Sequence, residues 1–221
     1  MKRIILLLAA TTALSACVAT SASGQGQSQS CSTSSDYAQL TGTPGNDQIV
    51  GTAGADVINA LAGNDKVQGC NGDDTIDGGP GNDDLRGQGG DDTINGGSGK
   101  DKINGGAGDD RAHGGEGNDV VKGSAGNDKV YGDSGDDKVE GGLGNDRVEG
   151  GKGDDKVYGG PGDDVVVGGP GKDKLSGGSG DDTIQARDGE RDTIKCGKGD
   201  DTVEADSNDK VSKDCETVKR G

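Results

Sequence analysis

The sequence predicts an all-β protein, a solenoid of stacked 18-residue coils rather than a globule. Three observations predict it. The first is composition. Of 221 residues, 47 are Gly, with no Phe, no Trp and only four Pro. Leu, Ile and Val together number 34. That is too little apolar area to offset about 1–2 kcal/mol of backbone entropy per residue through an ordinary globular core. Collagen is excluded too, because Gly does not recur at every third residue. The second observation is charge. Forty Asp and Glu against 23 Lys and Arg give a net charge of −17. Such acidity argues against nucleic acid or an anionic membrane as a partner and points toward cations. The third is a strict period of nine, which turns a composition typical of disorder into one that fits a thin, long fold.

The chain opens with an address. Met1-Lys2-Arg3 is a basic n-region, and Ile4 to Ala16 is an apolar run. The run is too short for a permanent span of a bilayer core about 30 Å thick and reads as a signal peptide over residues 1–16. Leu14-Ser15-Ala16-Cys17 resembles the lipobox of bacterial lipoproteins, in which the chain is cut before the Cys and that Cys is acylated. The resemblance makes Cys17 the expected lipidation site. The alternative is cleavage near Ala16 or Ala22 without lipid. Residues 17–40 are rich in Ser, Gln, Gly, Ala and Thr and read as a lipidated Cys followed by a flexible tether.

Residues 41–185 are the body. From Gly42 to Gln185 the chain divides into 16 units of nine with no insertion or deletion, as in GGPGNDDLR (78–86) and GGLGNDRVE (141–149). Position four is always Gly, position one is Gly except at Ala60, and position eight is Ile, Val or Leu except at Ala112. Position six is always Asp: Asp47, Asp56, Asp65, Asp74, Asp83, Asp92, Asp101, Asp110, Asp119, Asp128, Asp137, Asp146, Asp155, Asp164, Asp173 and Asp182. Glycine at positions one and four is expected to supply the φ > 0 that a six-residue turn needs. One apolar residue between two outward ones predicts a three-residue strand with a single inward side chain. Two units then make one coil, with a strand on each side and a turn at each end. Eight coils rise roughly 38 Å at the strand spacing. Every second Asp falls on the same edge, so Asp65, Asp83, Asp101 and Asp119 form a column. Bare carboxylates so close do not all stay ionised. Carboxylate and carbonyl oxygens in flexible loops suit Ca²⁺, which takes 6–8 of them, better than the tighter octahedron of Mg²⁺.

These units resemble the RTX (hemolysin-type) calcium-binding repeat, whose consensus is G-G-x-G-x-D-x-U-x. The resemblance covers about 145 residues strictly. It implies a parallel β-roll, a right-handed calcium-bound solenoid with two nine-residue units per coil. It further implies that Ca²⁺ lies between one turn and the turn two units later. The position-six Asp side chains and turn carbonyls are then the metal ligands. Sixteen units allow up to 14 such between-turn sites. Two features depart from the family's pattern. Many members leave the cell by a C-terminal signal, whereas this chain carries an N-terminal one. Many carry the repeats beside an enzyme or toxin, and none is recognisable here.

Residues 186–221 are expected to be degenerate repeats and a C-terminal cap. Asp192, Asp201 and Asp209 follow Asp182 at offsets of ten, nine and eight, so the phase slips and returns. Glycine drops out, and the calcium turns are expected to fade there. Lys213 to Gly221 are expected to cover the last coil, since a terminal repeat must hide its edge. If Cys17 carries lipid, four cysteines remain. Cys196 and Cys215 lie one coil plus one residue apart, within disulfide reach. Cys31 and Cys70 are then left to pin the tether onto the first coils. Free thiols are the alternative.

The remaining features are outward. His113 is the only His and reads as a surface residue. No nucleophile–base constellation can be assembled around it, and no catalytic domain fits between Cys17 and Gly42, so no enzyme is expected. Tyr131 and Tyr158 fall on opposite sheets, so they make no aromatic platform. Thr75, Thr93 and Thr183 are too sparse for an ice-binding ladder. Lys102, Lys138, Lys156 and Lys174 share position seven on one sheet. They read as a solvated face balancing the acidic edges, with a groove for an anionic polysaccharide as the alternative. The function expected is calcium binding by an exported β-roll that folds on Ca²⁺ and acts as a cell-surface structural or interaction module. The competing expectation is an adhesin-like module on that lysine face. No nucleic acid is expected as a partner, and no membrane except through the lipid anchor.

Overall fold

The computed structural model describes residues 31–33 and 37–221, together with the backbone of 16–18. Residues 1–15 of the signal peptide and most of the tether lie outside the described residues. All regular structure described is β. Successive units alternate between two sheets, one of 12 strands and one of ten, in which every pairing is parallel. The nine-residue period dictates this. Each turn reverses the chain, so neighbouring units face each other and every second unit stacks. Ile49 therefore pairs beside Val67 and Val67 beside Leu85 in one sheet. Ile58, Ile76 and Ile94 do the same in the other. This is the parallel β-roll, with two repeat units to each coil.

The core is a single thin file of position-eight side chains from both sheets. Val67, Leu85, Ile94, Val121, Val130 and Val139 are completely buried, as is Ala112, the exception to the Ile/Val/Leu rule. Leu40, ahead of the first full unit, takes the same inward place in the strand Gln39–Thr41, beside Ile58. The backbone of Ala16–Val18 pairs on the far side of that strand.

Two local expectations are corrected. Most strands run six residues, such as Lys102–Ala107 and Lys138–Leu143, rather than three. Positions two and three also join the ladder, as Gln88 and Gly89 do with Gly106 and Ala107. The stretch between strands shrinks to positions four to six. Glycine at position one does not have φ > 0. Positive φ falls at positions two and four, as at Gly97 (+106°) and Gly99 (+133°). Position one disfavours a side chain for another reason, with Ala60 the one exception in the strict repeats: a Cβ at Gly78 would lie 2.6 Å from Asp83 Oδ2 and 2.6 Å from Gly96 O.

The coils continue past the strict repeats. Leu175 pairs with Ile194 and Ile194 with Val211. The first of these steps is one residue longer than a regular coil and the second one residue shorter, which absorbs the phase slip. The last segment covers one of the two sheet edges at this end. Thr217–Arg220 becomes the outermost strand beside Thr202–Ala205. It is tied back by Arg220 Nη1 donating to Asp206 O (2.6 Å) and Arg187 Nη2 donating to Lys219 O (3.0 Å). Two disulfides brace the ends, Cys31–Cys70 and Cys196–Cys215, with Cα separations of 5.8 and 5.1 Å.

Candidate metal centre

All 16 position-six aspartates are buried, each at most 4% exposed. They form two columns, one along each long edge of the roll. The strand after each turn holds them in place. The Asp backbone carbonyl accepts the N–H that opens the strand one coil later, as Asp83 O does from Lys102 N (2.8 Å). The side chain reaches the opposite way. Asp83 Oδ1 accepts the Asp65 N–H and Asp101 Oδ1 accepts the Asp83 N–H, both at 2.8 Å. The same bond recurs down both columns, for example Asp92 to Asp110 Oδ1 at 2.9 Å.

One oxygen is left over. Sixteen buried Asp Oδ2 atoms have no hydrogen-bond donor. A carboxylate oxygen shut from water without a donor is costly, and here the cost is repeated along the whole molecule. Burial pushes the carboxyls of Asp92, Asp101, Asp110 and Asp137 up to about 7. The neighbouring column carboxylates add to the rise, and the backbone N–H on Oδ1 opposes it. Asp74, Asp83, Asp128 and Asp146 rise to about 6 for the same leading reason.

The orphaned set differs at both ends from the aspartates singled out by the repeat. At the first coil, Asp47 Oδ2 accepts the Thr43 N–H (2.6 Å) and hydroxyl (2.9 Å), and Asp56 Oδ2 accepts the Thr52 N–H (2.6 Å). Those two are satisfied by protein groups. At the far end, Asp192 and Asp201 keep the column geometry and an orphaned Oδ2 although Ala186 and Cys196 replace the position-one glycine of their units. Asp173 and Asp182 N–H donate to their Oδ1 atoms at 2.8 and 2.9 Å. The columns close where Asp209 Oδ2 accepts the Asp206 N–H (2.7 Å) and Glu216 Oε2 the Asp201 N–H (3.0 Å).

Position five contributes a second ladder, absent from the sequence expectations. Asn46 Oδ1 accepts the Asn64 N–H and Asp91 Oδ1 the Asp109 N–H, both at 2.8 Å. These side chains reach forward one coil, while the position-six side chains reach back. Lys100 and Lys172 cannot accept, so the ladder breaks after each of them. The enrichment of Asn and Asp at position five was the available signal.

The donor set fits a hard cation. Among the described residues, no three His, Cys, Asp or Glu side chains converge as a side-chain cage. Backbone carbonyls must supply the remaining oxygens, and the position-one carbonyl of the next coil lies on the same side as the orphaned Oδ2. The Oδ2 of Asp137 and the carbonyl of Gly150 lie 2.6 and 2.3 Å from where a Gly132 Cβ would sit. All-oxygen surroundings with one carboxylate per turn match Ca²⁺ chemistry. The outward residues do not join this site. His113 is half-buried, stacked on Tyr131 at 4.4 Å, with Nδ1 3.0 Å from Asp133 Oδ2. Tyr131 and Tyr158 lie in different sheets.

Fold and donor set together define a calcium-binding β-roll. The RTX calcium-binding nonapeptide repeat model matches in overlapping blocks from residue 41 to residue 203: 41–76, 68–103, 77–112, 104–139, 113–148, 140–175 and 167–203. The chain belongs to the RTX calcium-binding nonapeptide repeat family. A search of curated proteins returned no match. Family membership makes Ca²⁺ the cofactor, bound at repeated turns.

Proposed function

We propose that the protein is an exported calcium-binding β-roll that folds on Ca²⁺ and serves as a cell-surface structural or interaction module. One observation carries the reading: the unbroken file of buried, donorless Oδ2 atoms. The ligands proposed are the Asp side chains from Asp65 to Asp182 together with Asp192 and Asp201, completed by turn carbonyls. Bound calcium supplies the positive charge that lets neighbouring carboxylates stay ionised side by side. The chain's own part is to fix those carboxylates. Each Oδ1 is tethered by a backbone N–H of the preceding coil, and the Oδ2 lies buried beside position one of its own unit, as Asp137 Oδ2 does at Gly132. Asp47 and Asp56, also proposed as ligands from the repeat, differ in that Thr43 and Thr52 already donate to their Oδ2 atoms. Binding free energy then becomes folding free energy. At the 10⁻⁴–10⁻³ M affinities usual for extracellular modules, the chain would stay unfolded in low-calcium cytosol.

The domain plan proposed with this is a signal peptide at 1–16, a lipidated Cys17 and tether over 17–40, the repeats over 41–185 and a terminal region over 186–221. The Leu14-Ser15-Ala16-Cys17 motif supports the lipoprotein reading, and the two disulfides suit an oxidising compartment. A second reading, an adhesin-like module for an anionic polysaccharide, is favoured by the row Lys138, Lys156 and Lys174 on adjacent strands.

Circular dichroism of the purified protein during calcium titration tests the main reading. The β signal is expected to be largely lost in EDTA and restored by calcium. A β signal fully present in EDTA overturns the coupling. Metabolic labelling with a fatty acid tests the anchor, with label expected on the wild type and absent from Cys17→Ala.

A further inference from the structure

The charge of this molecule is divided by surface. On the ten-stranded sheet, the outward residues flanking the core positions include nine basic side chains and only two acidic ones, Asp84 and Glu140. This face is strongly positive on a chain whose net charge is −17. Both acids are already neutralised, Asp84 by Arg86 and Glu140 by Lys122 and Lys138. Six exposed lysines are left without an ion pair among the described residues: Lys66, Lys102, Lys156, Lys174, Lys195 and Lys210. The outward face of the 12-stranded sheet carries no such excess. There Arg111, Lys129, Arg147 and Lys219 stand against Asp77, Glu149 and Glu204.

The shape of the positive strip selects its ligand. It is two outward residues wide, about 7 Å, and ten strands long, about 43 Å. Acidic position-five residues line one flank, Asp73, Asp91, Asp109, Asp163 and Asp181, and the other flank carries Asp136 and Asp154 among asparagines. A nucleic-acid duplex, whose major groove alone is about 12 Å wide, would overlap those acids, and so would a membrane surface. Tyr158 is its single aromatic, so there is no stacking platform for unpaired bases. Between the lysines sit uncharged hydrogen-bonding groups, including Asn104, Ser176 and the Tyr158 hydroxyl. From Lys138 through Lys156 to Lys174, cations stand at the strand spacing with amides and hydroxyls beside them, which complements one extended chain with an acid group on each sugar and hydroxyls between the acids.

We propose that the outward face of the ten-stranded sheet binds a single chain of a linear acidic polysaccharide, laid along the solenoid axis across successive strands. The proposal rests on the adhesin-like reading and deepens it by naming the face, the ligand class and the direction. Lys156, Lys174 and Lys102 act as the charged contacts.

The test uses the full chain in excess calcium, with short oligogalacturonates as the probe in isothermal titration calorimetry. Binding is expected, weakening steeply as salt is raised. The variant K102Q/K156Q/K174Q is expected to bind at least about tenfold more weakly, with K102R/K156R/K174R restoring most of the affinity. The variant K129Q/R147Q, on the other sheet, is expected to stay within about twofold of wild type. These side chains point to solvent, so the calcium response in circular dichroism should persist in every variant. No binding by protein that still responds to calcium overturns the proposal and leaves the calcium reading intact. Unchanged binding by the Gln triple variant overturns it too, since the acidic edges would then hold the sugar through calcium. Equal or tighter binding of single-stranded DNA or of phosphatidylglycerol vesicles replaces the polysaccharide with those ligands.

Discussion

Asp83 donates its backbone N–H to Asp101 Oδ1 at 2.8 Å, and Asp101 Oδ2 is left buried with no donor. The two residues are one coil apart. The contact splits one carboxylate into a structural half and an open half. Oδ1 ties coil to coil, and Oδ2 creates the demand for a cation. A coil can therefore be stacked correctly and still be electrostatically incomplete.

Separating those halves by mutation gives the first prediction. Asp101→Asn keeps an acceptor for the Asp83 N–H and removes a charge. Its calcium stoichiometry should fall, while its calcium-free form should be no less stable than wild type. Asp101→Ala also strands the Asp83 N–H and should cost about 1–3 kcal/mol more. Chemical denaturation with and without EDTA separates the two. Equal behaviour of Asn and Ala would show that Oδ1 contributes nothing.

The pH dependence of the calcium-free protein follows from the raised carboxyls. Asp92, Asp101, Asp110 and Asp137 have folded values near 7 against an ordinary 3.8. Between those values the folded state binds more protons than the unfolded chain, so its stability falls as pH rises. The contribution is complete below about pH 4 and lost as pH passes 7. In EDTA, the β signal should be greater at pH 5 than at pH 7.5. Calcium affinity should move the opposite way, because protons compete for the same oxygens. A calcium-free β signal that peaks at pH 7.5 would contradict this account.

Much of this was legible in the sequence, because a strict nine-residue period makes spatial neighbours of residues two units apart. The columns of Asp65, Asp83 and Asp101 and the file of Ile49, Val67 and Leu85 follow from counting. The ends were not legible in that way. Asp192 and Asp201 lie in units without the position-one glycine, which Ala186 and Cys196 replace, yet backbone hydrogen bonds place them as firmly as the rest. Asp47 and Asp56 match the motif, but a threonine four residues earlier occupies the open oxygen. At position one the glycine is plain in the sequence, but its reason is not. Crowding by the Asp carboxylate of the same unit and by the backbone carbonyl one coil on, as Gly96 O crowds Gly78, favours it where backbone dihedrals do not.

Position two supplies a backbone prediction. Leu61, Cys70, Gln88, Ser124 and Asp133 all sit there with positive φ, and they are the described non-glycine residues that do so. The left-handed region costs a residue with a Cβ about 1–2 kcal/mol. Gln88→Gly (φ +84°) should therefore stabilise the roll, by less than about 1 kcal/mol after the entropy of an added glycine. Gly97→Ala should destabilise by more, because its Cβ would lie 2.2 Å from Gly79 O. Thermal melts in saturating calcium check both signs.

The last prediction concerns the open end. Cys196 is fully buried in the core file, while Cys215 belongs to the terminal segment. Their disulfide holds Lys210–Val211 and Thr217–Arg220 against the coils before them. A roll is quasi-one-dimensional, since each coil contacts only its neighbours. Breaking this bond should therefore fray the end without melting the middle. In Cys196→Ser/Cys215→Ser, hydrogen exchange should accelerate over 193–221 and stay unchanged over 93–152. The local loss should be about 3 kcal/mol, as expected for a loop closed over 19 residues. Uniform acceleration across the roll would show one cooperative unit instead, and the disulfide would then act as a global brace rather than a terminal clasp.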